Sequence, residues 1–317
     1  MLKLRLIFGV SLAVLLIGLL LIDGWLATLS PPEWDIPGTS FNLGHWIYNG
    51  AICTAVIVVF AWLAARELIG FARALGYQPQ RGLAILGAVG LVSIPFITSN
   101  WSLEGGRPGD TWVMALLVLV LILAFLFQAA RYRTEQVMAN IASTLFIVLY
   151  VGGLGYFMSR LRMDVAGRES ITLLLYSLFI VKMTDTGAYV TGRLWGRHKL
   201  IEWLSPKKTR EGFIGGVLVA VLCALGIGHW LHSSGLAHID ATPIPYPWIL
   251  VVFGLLMAGF SAAGDLCASL LKREAAIKDS GKALPGLGGI IDVLDSPLLA
   301  APAAWFFWTH VVQIQAV

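Results

Sequence analysis

Residues 111–130 read TWVMALLVLVLILAFLFQAA, a stretch without a single charge. About 20 apolar residues is the length an α-helix needs to cross the hydrocarbon core of a bilayer. The stretch is continuously apolar rather than alternating, so it does not suit a strand of a membrane barrel. Outward from it, further charge-free stretches run 6–22, 36–65, 82–103, 136–159, 212–239, 241–264 and 296–317. A ninth apolar stretch, 170–190, is interrupted by Lys182 and Asp185. The reading is an all-α polytopic membrane protein of about nine transmembrane helices. Composition agrees: of 317 residues 58% are hydrophobic and 13% charged, with a mean hydropathy of +0.80. A soluble domain carries roughly 25% charged residues, so soluble, fibrous and disordered classes are excluded.

Lys3 and Arg5 precede the first apolar run as they would in a secretory signal, but no A-x-A-like cleavage site follows. A retained first helix is therefore expected. With the N-terminus in the cytoplasm, 17 Lys and Arg fall in inner segments and four in outer loops (Arg107, Arg160, Arg162 and Arg168), with Lys182 inside a helix. The positive-inside rule then sets the N-terminus in and the C-terminus out, in a multi-pass protein of the cell (inner) membrane. The Arg-bearing loop 159–169 is the weak point of that asymmetry. The net charge of +4 is topology rather than a nucleic-acid footprint, because the basic residues are spread over several short loops. No nucleic-acid partner is expected. Cys53, Cys223 and Cys267 lie in apolar stretches, so no disulfide framework is implied. His229 and His232 share a helix face, with no third ligand beside them, and read as interfacial packing. Trp46, Trp101 and Trp112 near predicted helix ends read as interface anchors.

Polarity divides the chain. Residues 1–160 read as lipid-embedded helices with little polar chemistry, and 161–317 as a catalytic transmembrane domain whose polar loops, 185–211 and 265–296, both map to the cytoplasmic side. Lys182 and Asp185 are three apart and share a helix face; an ionisable pair at membrane depth normally faces a bundle interior or a wet cavity, and a structural ion pair would look the same. Ser205-Pro206-Lys207-Lys208-Thr209 reads as the start of a helix continuing through Gly215 and Gly216, with Ser205 as cap and Pro206 in the first turn. Free backbone N–H groups and two lysines there favour an anion, most naturally phosphate; an ordinary positive-inside loop is the alternative. In the second loop Asp265 ends a charge-free stretch, Ser269, Lys272 and Arg273 follow, and Asp292 and Asp295 open the last apolar helix. Carboxylates with a Gly-rich approach suit Mg²⁺, and Lys and Arg suit phosphate oxygens.

These residues resemble the phosphatidate cytidylyltransferases, or CDP-diacylglycerol synthases. Residues 259–296 are similar to that family's motif S-x-x-K-R-x₄-K-D-x-G, then P-G-H-G-G, a hydrophobic and a variable residue, and D-R-x-D. It is matched by Ser269, Lys272, Arg273, Lys278, Asp279, Gly281, Pro285, Gly286, Gly288, Gly289, Asp292 and Asp295, with Gly264-Asp265-Leu266 ahead of it. Residues 185–216 resemble its other block, D-x-G-A-Y followed by S-P-K-K-T-x-E-G-x-x-G-G. Three positions depart: Leu287 stands for the family's His, Val293 for its Arg, and Ala268 for a usual acid.

The resemblance implies an Mg²⁺-dependent enzyme that joins CTP and phosphatidate into CDP-diacylglycerol and releases pyrophosphate. Asp265 and Asp292 correspond to the metal ligands, with a second, monovalent cation allowed for. Lys272, Arg273 and Asp295 complete the expected catalytic set. Expected substrate contacts are Asp185, Ser205, Pro206, Lys207, Lys208, Thr209, Ser269, Lys278, Asp279, Gly288 and Gly289. Membrane lipids surround the chain, and a homodimer is implied. The alternatives are a cytidylyltransferase for another lipid phosphate, a catalytically dead scaffold suggested by Leu287 and Val293, and a transporter using Lys182 and Asp185 as a relay.

Overall fold

The computed structural model describes residues 2–32, 42–101, 109–165, 167–239, 244–277 and 288–314. Lys278, Asp279, Gly281, Pro285, Gly286 and Leu287 lie outside the described residues. The chain runs through α1 (Leu2–Leu26), a short α2 (Leu43–Tyr48), α3 (Ala51–Ala74), α4 (Arg81–Asn100) and α5 (Gly109–Arg131). Next come α6 (Val137–Ile147), a π-helical segment (Val148–Gly153) and α7 (Leu154–Met163), which together form one apolar column. After α8 (Gly167–Trp195), a hairpin of β1 (Lys199–Ile201) and β2 (Ser205–Thr209) leads into α9 (Arg210–Ser233), α10 (Trp248–Glu274) and α11 (Ile291–Phe306). Among the described residues eight of these columns are long and apolar enough to cross a membrane, the interrupted stretch 170–190 among them as α8, and α11 with the π-helical turn Phe307–Val311 is the counterpart of the charge-free stretch 296–317. The first π-helical segment lies inside an apolar column, and the second ends the α11 column.

The helices overrun the charge-free stretches that announce them. At 1.5 Å per residue, α8 and α10 are each about 40 Å long, against a hydrocarbon core of about 30 Å. Both helices are thus longer than that core is thick, and their last turns carry Arg193 on α8 and Lys272 and Arg273 on α10.

Three core clusters organise the bundle, and two of them bear on the polar C-terminal region. The larger packs α8, α9, α10 and the end of α11 around Ile249, Phe253, Phe307 and Trp308, all at most 1% exposed. The other joins Ala64 and Leu68 of α3, Ala88 of α4 and Val151 of the π-helical segment to Ala268 of α10 and to Ile290 and Ile291 at the start of α11. Helices from residues 1–160 thus share a core with the polar C-terminal region.

Among the described residues one charge pair is buried outright, and it accounts for one arginine on the sparse side of the basic asymmetry. Arg162 Nε donates to Asp23 Oδ2 at 2.7 Å, and both side chains are at most 2% exposed. Asp23 Oδ1 also accepts from the backbone N–H of Ile52 and Cys53, so it caps α3 from another helix. Arg160 is neutralised by Asp164 at 2.6 Å and lies over the Trp305 ring. Neither arginine acts as a free cation.

Candidate active site

Helical periodicity builds the site. On α10, Ser261, Asp265, Ser269 and Lys272 recur at intervals of four, four and three, which is one stripe of the helix. On α8, Thr184, Asp185, Ala188, Tyr189, Gly192 and Arg193 form another. The α8 stripe, with Ala262 and Asp265 of α10, β2 and the first turn of α9, lines a cavity of about 330 Å³. Its wall includes Asp185, Arg193, Lys207, Lys208, Thr209 and Asp265, and its size is that of a small-ligand site, roughly 300–1,000 Å³. The two polar loops, more than fifty residues apart in sequence, therefore meet in one place.

The segment Ser205–Thr209 differs from its sequence reading. It is a strand, with Lys199 opposite Thr209 and Ile201 opposite Ser205. The helix begins at Arg210, and its cap is Thr209, whose Oγ1 accepts from Gly212 N at 3.1 Å. Pro206 lacks the N–H that a ladder uses, and an extended edge tolerates it where the helix prediction required a first turn. Glu211 then pins the hairpin to the helix by accepting from the backbone N–H of Arg197 and His198, each at 3.1 Å. The result still presents Lys207 and Lys208 to the cavity, but from a strand, so the helix terminus lies beyond the lysines rather than before them.

Each carboxylate named as a metal ligand is held by a lysine. Lys208 Nζ lies 2.7 Å from Asp265 Oδ2, and Lys272 Nζ lies 2.7 Å from Asp292 Oδ1. Asp292 Oδ2 accepts from Gly289 N at 3.2 Å, and Gly288 before it adopts φ +96°, a left-handed conformation that favours glycine. The Lys272–Asp292 pair, Ser205, Pro206, Ser269, Gly288 and Gly289 are not among the residues lining the cavity. Arg273 is exposed and donates to the Leu204 carbonyl, bracing the hairpin against α10.

Beneath the cavity three helices are cross-linked by polar contacts. Ser261 Oγ donates to Asp185 Oδ1 at 2.8 Å, tying α10 to α8. Ser296 Oγ donates to the Ser261 carbonyl at 3.1 Å, tying α11 to α10. Lys182 stands 3.8 Å from Asp185, as their spacing predicts, and also donates to the Val293 carbonyl at 3.0 Å. Asp295 is 6% exposed and accepts from Ser296 N at 2.6 Å. Among the described residues no group of three or more His, Cys, Asp and Glu is arranged to hold a metal.

Residues 1–160 also reach this region. Glu67 of α3 accepts from the N–H groups of Ile290 and Ile291 at 2.6 and 3.2 Å. The Tyr150 hydroxyl of the π-helical segment is buried and has no hydrogen-bond partner among the described residues. Sequence reasoning missed both, together with Arg193 and Tyr189. For Glu67 a signal existed: it is the one acid between Asp35 and Glu104, and an acid inside an apolar span has a partner.

A helical membrane bundle whose cavity carries Arg193, Lys207 and Lys208 beside Asp185 and Asp265 belongs to the class of membrane proteins whose site chemistry suits anionic ligands. Residues 36–311 match the cytidylyltransferase family, and the chain belongs to it. Among its relatives, the phosphatidate cytidylyltransferase of Staphylococcus epidermidis strain ATCC 35984 is 32% identical over 252 residues, 78% of this chain and 87% of the relative. Those of Staphylococcus haemolyticus strain JCSC1435 and Staphylococcus aureus strain COL are each 31% identical, over 78% of this chain and 94% of the relative.

Proposed function

We propose that this protein is a CTP:phosphatidate cytidylyltransferase that makes CDP-diacylglycerol and pyrophosphate for phospholipid synthesis. The observation that carries the reading is the cavity between α8, α10 and β2, where Arg193, Lys207 and Lys208 face Asp185 and Asp265. A triphosphate and a lipid phosphate require just such cations. Its position at helix ends that outrun the apolar layer lets a water-soluble nucleotide meet a bilayer lipid.

A phosphate oxygen of phosphatidate attacks the α-phosphorus of CTP, and the bond to pyrophosphate breaks. Phosphatidate is already anionic at neutral pH, so neither a protein nucleophile nor a general base is needed. Catalysis is then charge neutralisation and positioning. Lys207, Lys208 and Arg193 bind phosphate oxygens, and Thr209 and Glu211 fix the hairpin that aims the lysines. Asp185, held by Ser261 and facing Lys182, orients that cation, and Asp295 supports the same layer from below.

Mg²⁺ fits the donor chemistry of Asp265 and Asp292, which offer only hard oxygen atoms. Mg²⁺ commonly takes one or two carboxylates and completes its shell with water and substrate phosphates, so a larger acidic cluster is not required. When bound it neutralises triphosphate charge. Lys208 and Lys272, now on those carboxylates, are placed to turn to the phosphates as the carboxylates take the metal. Under this reading the N-terminus is cytoplasmic, the site opens to the cytoplasm, and the protein resides in the cell membrane as a homodimer among bilayer lipids.

The test is CTP turnover by the purified protein in detergent with phosphatidate, with and without Mg²⁺. Mg²⁺-dependent formation of CDP-diacylglycerol is expected. Turnover with only a different lipid phosphate would move the substrate assignment, and no turnover with any lipid phosphate would leave the scaffold or transporter reading standing.

A further inference from the structure

The first turn of α11 presents a problem that its own sequence does not solve. A helix begins with N–H groups that have no intrahelical acceptor, and here Ile290 and Ile291 are both fully buried in the apolar cluster of α3, α4, α10 and α11. A buried N–H without an acceptor is strongly unfavourable. No capping side chain of α11 itself bonds these groups. The acceptor is Glu67 Oε2, from α3, at 2.6 Å from Ile290 N and 3.2 Å from Ile291 N. Asp292, the next residue along, uses Oδ2 on Gly289 N and Oδ1 on Lys272. Three successive amides of this turn are thus fixed by two carboxylates, one of which is a proposed metal ligand.

We infer that Glu67 is a positioning residue for the reaction: it holds the start of α11 so that the Asp292 carboxylate faces the reacting phosphates. The inference rests on the assignment of Asp292 to the site. Glu67 acts through backbone amides and also places negative charge at a helix N-terminus, which the helix dipole favours. Its second oxygen, Oε1, is buried and has no hydrogen-bond partner among the described residues, so Oε2 carries the contact. A carboxamide oxygen can accept the same two bonds, and this separates hydrogen-bonding geometry from charge.

The full-length protein in detergent is compared as wild type, Glu67→Gln, Glu67→Ala and Asp292→Asn. Hydrogen–deuterium exchange of peptides spanning 288–295, without CTP or Mg²⁺, is read beside kcat, the KM for CTP and the thermal midpoint. Glu67→Ala should speed exchange at Ile290 and Ile291 by about tenfold or more and lower kcat by a similar factor, since a lost hydrogen bond to a charged group is worth at least that much. The KM for CTP should move less than kcat, because the cavity lysines are untouched. Glu67→Gln should restore both exchange protection and kcat to within about threefold of wild type. Unchanged exchange and kcat in Glu67→Ala would overturn the inference. So would a Glu67→Gln protein with protected amides and kcat as low as that of Glu67→Ala, which would mean the charge itself acts at the reaction. If Glu67→Ala fails to fold, the Glu67→Gln result decides by the same criteria. Asp292→Asn tests the site assignment separately: activity retained there removes Asp292 from the reaction, whatever Glu67 does to the amides.

Discussion

The Lys182 ammonium donates to the carbonyl oxygen of Val293 at 3.0 Å. Position 293 is where the motif that this sequence resembles carries arginine, so α8 delivers a cation to the backbone of the residue that lacks one. The same amine lies 3.8 Å from Asp185, which Ser261 holds from the other side. If Lys182 serves the role of the motif's arginine, its removal should be felt at the phosphates.

Lys182→Met should then lower kcat/KM for CTP by about tenfold or more, the usual cost of one charge-assisted phosphate contact. Val293→Arg alone should change it little, and Lys182→Met with Val293→Arg should recover part of the loss. Full activity in Lys182→Met would show that this cation takes no part in phosphate binding.

Asp265→Asn and Asp292→Asn should each lower Mg²⁺-dependent turnover on the order of 100-fold or more, because each removes charge where a metal would be held. Each also releases a lysine from a 2.7 Å pair. Both proteins should keep the wild-type elution volume in detergent, since the carboxamide can still accept a hydrogen bond. Normal turnover across an Mg²⁺ titration in either variant would take that aspartate out of the metal site.

The helices were legible because a span is a local property: an unbroken apolar run such as 111–130 allows few structures. The cavity was legible in part because Asp185, Lys207, Lys208 and Asp265 lie in dense polar motifs. Glu67 was not, since its partners are two backbone amides more than two hundred residues away, and backbone amides leave no trace in a sequence motif. Arg162 read as an outer-loop charge for the same reason, as its partner Asp23 sits at the far end of the chain. The Ser205 segment was misread because Ser-Pro suits a helix start and a hairpin edge equally; the pairing of Lys199 with Thr209 decides between them, and pairing is not local.

That misreading yields a direct comparison of two hydroxyls. Thr209→Ala removes the acceptor for Gly212 N and should cost about 1 kcal/mol, within the range for a lost N-cap. Ser205→Ala should cost much less, because Ser205 caps no helix. Thermal midpoints in one detergent would rank the two. A larger loss for Ser205→Ala would restore the earlier helix start.

At Gly264, α10 packs directly against the backbone of α11. A Cβ there would lie 2.3 Å from the Asp295 carbonyl oxygen and 2.8 Å from Ser296 Cα, both backbone atoms that no rotamer change can move. Gly264→Ala must therefore push α11 away, at a cost of about 1–3 kcal/mol for overpacking. Asp292 and Asp295 ride on α11 and Asp265 is the residue after Gly264, so the displacement separates the carboxylates from one another. A shift of about 1 Å in a reacting group can cost on the order of 100-fold in rate. Gly264→Ala should thus lose far more turnover than its lowered thermal midpoint would suggest at the assay temperature. A wild-type midpoint together with wild-type turnover would mean that the two helices do not meet at Gly264.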